Sequence, residues 1–199
     1  MTTIKEESPA GTDAARDKQL IVQAAIGVFV ENGFAESTIE DVVESSGLPA
    51  EAVHRYFPTK YAVIGAIGAV NKAAATGMLK EILREETLPS LDDIVGRVGE
   101  FFDGMAVDGG PAGLAPQATG IALYDKDLRA IMQDVNAALL AGWTELAARL
   151  VELGRLPDDT DPADVGATLF SLVIGYMSQS LLGNATAGNL RGGLRALLR

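Results

Sequence analysis

The chain of 199 residues holds one histidine, His54, and no cysteine. That removes thiol nucleophiles, thiolate zinc sites and His-rich metal sites together. Serines, aspartates and glutamates remain, but no motif groups them into a base and a nucleophile. The sequence therefore predicts no catalytic set, no metal site and no cofactor, and no enzyme. What remains is recognition chemistry in Thr38 to Lys60, TIEDVVESSGLPAEAVHRYFPTK. Hydroxyls at Ser37 and Thr38 stand before it, a cation at Lys60 closes it, and Arg55 is the one arginine between. Hydroxyls and free amides at a helix start, with cations nearby, are what a phosphate requires. A guanidinium on an exposed helix can take a guanine edge or a phosphate.

Positioning these groups requires two short helices at a steep angle. Leu20, Ile21, Ala24, Ala25, Val28 and Phe29 give the first helix, from about Arg16, one apolar face, and Asn32-Gly33 stops it. Ser37-Thr38 starts helix 2, where the pairs Ser37/Glu40 and Thr38/Asp41 both have capping-box spacing. Ile39, Val42 and Val43 face inward, Gly47 supplies the turn, and Pro49 suits the first turn of helix 3. Val53 and Phe57 face the core, leaving Ala50, Glu51, Ala52, His54 and Arg55 on or near the outside. Pro58 ends the helix. This is a helix-turn-helix, which makes double-stranded DNA the leading partner.

Lys18 to Ala62 resembles the DNA-binding domain of TetR-family transcriptional regulators. The resemblance is carried by Ala24-Ala25, Phe29, Gly33, Ser37-Thr38, the apolar triplet of helix 2, Ser46-Gly47-Leu48 and Tyr56-Phe57-Pro58-Thr59-Lys60, in order and without gaps. It implies that helix 3, with Pro49, Ala50, Glu51, Ala52, His54, Arg55 and Tyr56, enters the major groove. It further implies that helix 1 (Lys18), the start of helix 2 (Ser37, Thr38) and Lys60 hold phosphates. Three positions depart from the family's habit: His54 replaces a tyrosine, Pro49 a serine, and Glu51 a small residue. Helix 3 is left with few positive donors. Plainer readings stay open: Thr38 as a helix cap, Lys60 as a solvated lysine, His54 packed on helix 1, and Glu51 as a first-turn acid worth about 0.3–1 kcal/mol.

Net charge is −11, and residues 1–60 carry five basic against ten acidic side chains. Such a chain does not coat nucleic acid indiscriminately. A specific operator held by few cations (Arg16, Lys18, Arg55 and Lys60, helped by Lys5) implies a shallow salt dependence.

Beyond Lys60 the pattern stays helical, and the fold class is all-α, about nine helices. Residues 1–15 read as a disordered arm, 16–60 as the helix-turn-helix domain and 61–199 as a helical ligand-binding and dimerisation domain. Loops are expected at Asp108 to Pro116 and over LPDDTD, with Asp161-Pro162 starting a helix. Phe101, Phe102, Met105, Gln117, Tyr124, Met132, Asn136, Trp143, Phe170, Tyr176 and Met177 are candidates to line an apolar effector cavity, each with ordinary core as its plainer reading. Val165 to Leu190 contains no charge, and is read as a buried helix rather than a membrane span, so the chain is expected to be cytoplasmic. The resemblance implies that the last two long helices form a homodimer interface, here through Val165, Gly166, Leu169, Leu172, Val173 and Tyr176. The function so implied is a ligand-released repressor of a pseudo-palindromic operator. The competing reading is a helical sensor of the same fold with weakened or lost operator binding.

Overall fold

The computed structural model describes residues 9–106 and 111–198. Helix α1 spans Pro9–Asn32. It begins inside the stretch expected to be an arm, because Pro9 suits a first helical position and Ala10, Ala14, Ala15 and Arg16 are strong helix formers. The rest of that arm, including Lys5, lies outside the described residues, as does Asp108–Gly110 of the expected loop. Gly33, at φ +80°, ends α1.

Helix α2, Ile39–Ser46, is capped by Thr38, and α3, Ala50–Tyr56, follows a turn closed by Gly47 at φ +65°. A side chain at either glycine would sit in backbone space that favours glycine. Pro49 stands one residue before α3 and caps it without a side-chain bond. Helix α4 covers Lys60–Leu83. Its first turns complete a core made of Ile21, Ala25, Val28, Phe29, Phe34, Val42, Val53, Phe57, Val63, Ile64 and Ile67, all buried. Leu20 departs from its expected place on that face and is 43% exposed.

The chain divides into two compact units, Met1–Ile67 and Gly68–Arg199, and the division falls within α4 rather than at Lys60. Among the described residues α4 is the helix whose length and composition would allow it to cross a membrane. The uncharged run Val165 to Leu190, by contrast, is broken after Leu181, where Gly183 at φ +74° ends the helix.

In the second unit the remainder of α4 is followed by α5 (Leu91–Ala106), a 3-10 turn (Pro111–Gly113), α6 (Leu114–Ala122), α7 (Lys126–Glu152), α8 (Pro162–Leu181) and α9 (Ala187–Leu197). No strand occurs among the described residues. Asp125 caps α7 through the amides of Asp127 and Leu128, and Asp161 caps α8 through that of Ala163. Leu79, Ile82, Ile94, Val95, Val98, Trp143, Leu146, Leu150, Leu169, Val173 and Met177 form the second core. Close helix approach depends on small residues: a Cβ on Gly166 would lie 2.7 Å from the Thr144 amide nitrogen. Ion pairs join distant segments, as Arg195 meets Asp92 at 2.6 Å and Arg191 meets Glu100 at 2.9 Å.

Candidate nucleic-acid interface

The start of α2 is built by reciprocal bonds. The Asp41 amide donates to the Thr38 hydroxyl at 3.2 Å, and the Thr38 amide donates to Asp41 Oδ2 at 2.8 Å. Of the two capping pairs the spacing permitted, Thr38/Asp41 forms. These bonds hold the Asp41 carboxyl below its ordinary range: the Thr38 amide contributes most, then its hydroxyl, while burial opposes and the charge of Lys60 adds a little. Thr38 is exposed and therefore remains available at the helix end.

Ser37 does not share that position. It is 2% exposed, and its hydroxyl donates to the Gly33 carbonyl at 2.7 Å, with the Val28 carbonyl 3.4 Å away. A buried hydroxyl bonded to the end of α1 cannot reach a phosphate, so the expected contact at Ser37 is corrected to a structural one. Lys60 differs too. Its ammonium donates to the carbonyls of Phe34 (3.0 Å), Ala35 (2.8 Å) and Ser37 (2.8 Å) rather than lying free in solvent.

On α3, Ala50, Glu51, His54 and Arg55 are exposed and Ala52 and Tyr56 half-buried, with Pro49 exposed just before the helix. Of the seven residues of α3 only Val53 is buried, so the expected recognition residues surround the helix on every side but that one. Two cations converge at its C-terminal end. Arg55 lies 4.9 Å from the Tyr56 ring centroid and donates to the Tyr56 hydroxyl at 3.3 Å, while Lys18, from α1, lies 5.5 Å from the same ring. The negative face of the ring attracts both. Among the described residues no carboxylate stands within ion-pair distance of Lys18, Arg55 or the exposed Arg16. This edge can meet anionic oxygen without first breaking an ion pair.

Phe34 plays a part that helical periodicity did not reveal. It follows Gly33, outside any helix, yet it is fully buried, stacked edge-on against Phe29 at 5.0 Å and beneath the Lys60 ammonium at 5.1 Å.

The effector candidates of the second unit divide. Trp143 and Met177 belong to the core, with Phe102 and Phe170 packed against it. Phe101 meets Phe102 edge-on at 5.7 Å, and Met105, Met132 and Asn136 are half-buried. Tyr176 is buried and donates to Asp103; burial first, then that carboxylate, raises its phenol pKa. Gln117 is exposed, and Tyr124 is 92% exposed, since it stands in the turn between α6 and the Asp125 cap with no helix to cover it. Tyr124 is therefore a surface residue and not a cavity lining.

On α8 the expected interface residues turn the wrong way. Gly166, Leu169, Val173 and Tyr176 are buried within the single chain and Val165 is half-buried. Only Leu172 of that set lies outward, on a stripe with Ser171, Gly175, Gln179 and Leu182. Beyond Asp164 the helix is uncharged all round, so composition did not reveal which side faced α7.

Short helices meeting at a glycine turn, in a chain whose second unit is α-helical, define a helix-turn-helix protein. Residues 21–67 match the model of the bacterial regulatory proteins of the tetR family, so the resemblance is carried by this first unit. A search of curated proteins gives no match. Among solved structures, GusR of Salmonella enterica is similar at 19% identity over 98% of this chain and 99% of its own, with a TM-score of 0.75. The fatty acid degradation regulator FadR of Bacillus halodurans is similar at 19% identity over 98% and 96%, with a TM-score of 0.69. FadR of Bacillus subtilis in complex with stearoyl-CoA is similar at 16% identity over 90% and 96%, with a TM-score of 0.70. The fold of the chain is the fold of these three proteins.

Proposed function

We propose that the chain is a sequence-specific, homodimeric transcriptional repressor, released from a pseudo-palindromic operator by an apolar or aromatic small molecule bound in the second unit. The observation that carries this reading is the uncommitted cationic edge of Lys18, Arg55 and Tyr56 beside the exposed face of α3. An acidic chain keeps cations unpaired at one edge where phosphates are to be met. In this reading α3 lies in the major groove, with Arg55 on a base or phosphate, while Lys18 and the amide end of α2 at Thr38 hold the backbone. A two-fold operator requires two copies, and the outward stripe of Leu172 and Gly175 on α8, continued past its end by Leu182, is the face we assign to that contact. The stearoyl-CoA of the Bacillus subtilis relative supports an effector with an apolar part. The effector acts by its differential affinity for the two states, no more.

Glu51 and His54 also lie on the exposed face of α3, and they favour a second reading, a sensor of the same fold without operator binding. Fluorescence anisotropy with duplexes from upstream of the chain's own coding region decides between them at low and moderate salt. A repressor gives sequence-specific binding with a shallow salt slope. Equal binding to operator and scrambled duplex at both salts sinks the repressor reading.

A further inference from the structure

A protonated lysine has three N–H donors and no acceptor. All three of Lys60 meet main-chain oxygens at 2.8–3.0 Å, and the Phe34 ring lies beneath the ammonium at 5.1 Å. The carbonyls belong to the non-helical turn between α1 and α2. Lys60 itself is held by the first turn of α4, whose Val63 and Ile64 are buried in the core. The ammonium is therefore a fixed point against which a turn 23 to 26 residues away in sequence is gathered. The last of its acceptors, Ser37, directly precedes Thr38, whose amide and hydroxyl close the box with Asp41.

We propose that Lys60 is a positioning residue of this unit and not one of its phosphate ligands: it clamps the α1–α2 turn and so sets where Thr38 and the amides of α2 stand. The proposal rests on the DNA-binding reading only for its consequence at the operator; the clamp itself can be tested without DNA. A phosphate approaching Lys60 would have to displace one of three charge-assisted bonds, each stronger than an ordinary hydrogen bond. An arginine would keep the charge, but its planar fork cannot converge three donors on these oxygens. The cations left to meet the DNA backbone from the described part of this unit are Arg16, Lys18 and Arg55.

The test uses the full chain with Lys60→Met, Lys60→Arg and, as a contrast, Lys18→Met. Two readouts are taken: amide hydrogen exchange over residues 34–46, and the dependence of operator affinity on salt. A clamp predicts exchange about tenfold faster over residues 34–46 in Lys60→Met, no recovery in Lys60→Arg, and a salt slope equal to that of the unsubstituted chain. Lys18→Met should leave exchange unchanged and lower the slope by about one. The proposal is overturned by unchanged exchange in Lys60→Met. It is equally overturned by a salt slope lowered by about one in that variant, or by an arginine that restores both exchange and affinity. If the unsubstituted chain binds no operator, the function proposed above fails, while the exchange measurement still decides the clamp.

Discussion

The two units manage polar groups in opposite ways. In the first, Ser37, Thr38, Asp41 and Lys60 bond to backbone or to each other within one turn, and none of the ion pairs among the described residues lies there. In the second, cations meet the chain's own carboxylates, Lys72 with Asp134, Arg97 with Glu85, Arg191 with Asp93 and Glu100, Arg195 with Asp92. Arg129 and Arg155 there donate to carbonyls of Leu123 and Leu88. A net charge of −11 is therefore compatible with DNA binding. What matters is how many cations are left without a carboxylate, and among the described residues the first unit leaves Arg16, Lys18 and Arg55 so.

The largest effect should come from breaking the first core alone. Phe29 is fully buried and packs edge-on against Phe34. Phe29→Ala should cost about 3–5 kcal/mol, enough to unfold a small unit on its own. The chain's one tryptophan, Trp143, is 2% exposed in the second core, so its emission reports that unit. We expect far-UV circular dichroism of the variant to show lost helix at room temperature, with the Trp143 transition unmoved. A Trp143 transition that falls with the helix signal would mean that the units do not fold separately, and the contrast above would lose its physical basis.

How much of this was legible in the sequence follows the range of the interactions. The helix-turn-helix could be read because its determinants are local: the period of Ile21, Ala25, Val28 and Phe29, the stop at Gly33, and the turn at Gly47 between Val42 and Val53. The clamp could not, because Lys60 reaches back across more than twenty residues and Phe34 lies outside any helix. In the second unit, Asp92 and Arg195 stand 103 positions apart, and no spacing rule connects them. Helix α8, uncharged beyond Asp164, shows its length but not its orientation, since hydrophobic residues on every side give no phase to read. That is why Leu169 and Val173, expected at an interface, lie instead in the core.

Two arginines test the contrast directly. Arg55→Ala should weaken operator binding by about 1–3 kcal/mol if the guanidinium takes a base and leave melting unchanged. Arg195→Ala should do the reverse. It strips its 2.6 Å partner from Asp92, whose side chain is only 10% exposed, and should lower the melting temperature, by an amount kept small because the guanidinium is half in solvent. Its operator affinity should stay within error. Thermal melts and anisotropy on the same two preparations separate these outcomes. Similar losses in both measurements for both variants would show that the division between uncommitted and structural cations is not functional.

The smallest effect concerns the cap of α2 and carries a sign. Bonds from Thr38 lower the Asp41 pKa below its ordinary value of 3.8 in the folded chain. A depressed carboxylate contributes stability above its unfolded pKa and loses it as pH falls through the folded value. Asp41→Asn keeps an acceptor for the Thr38 amide but cannot ionise, so the unsubstituted chain should be the more stable near neutrality. The gap should begin to close at about pH 4 and vanish below the folded pKa. Melting temperatures of the two chains across that range measure it, and because the other carboxylates titrate in both, their effect cancels in the difference. A gap that persists unchanged in acid would assign the contribution of Asp41 to packing or geometry. One that closes ties the start of α2, where Thr38 stands, to a single negative charge that the unit supplies from within.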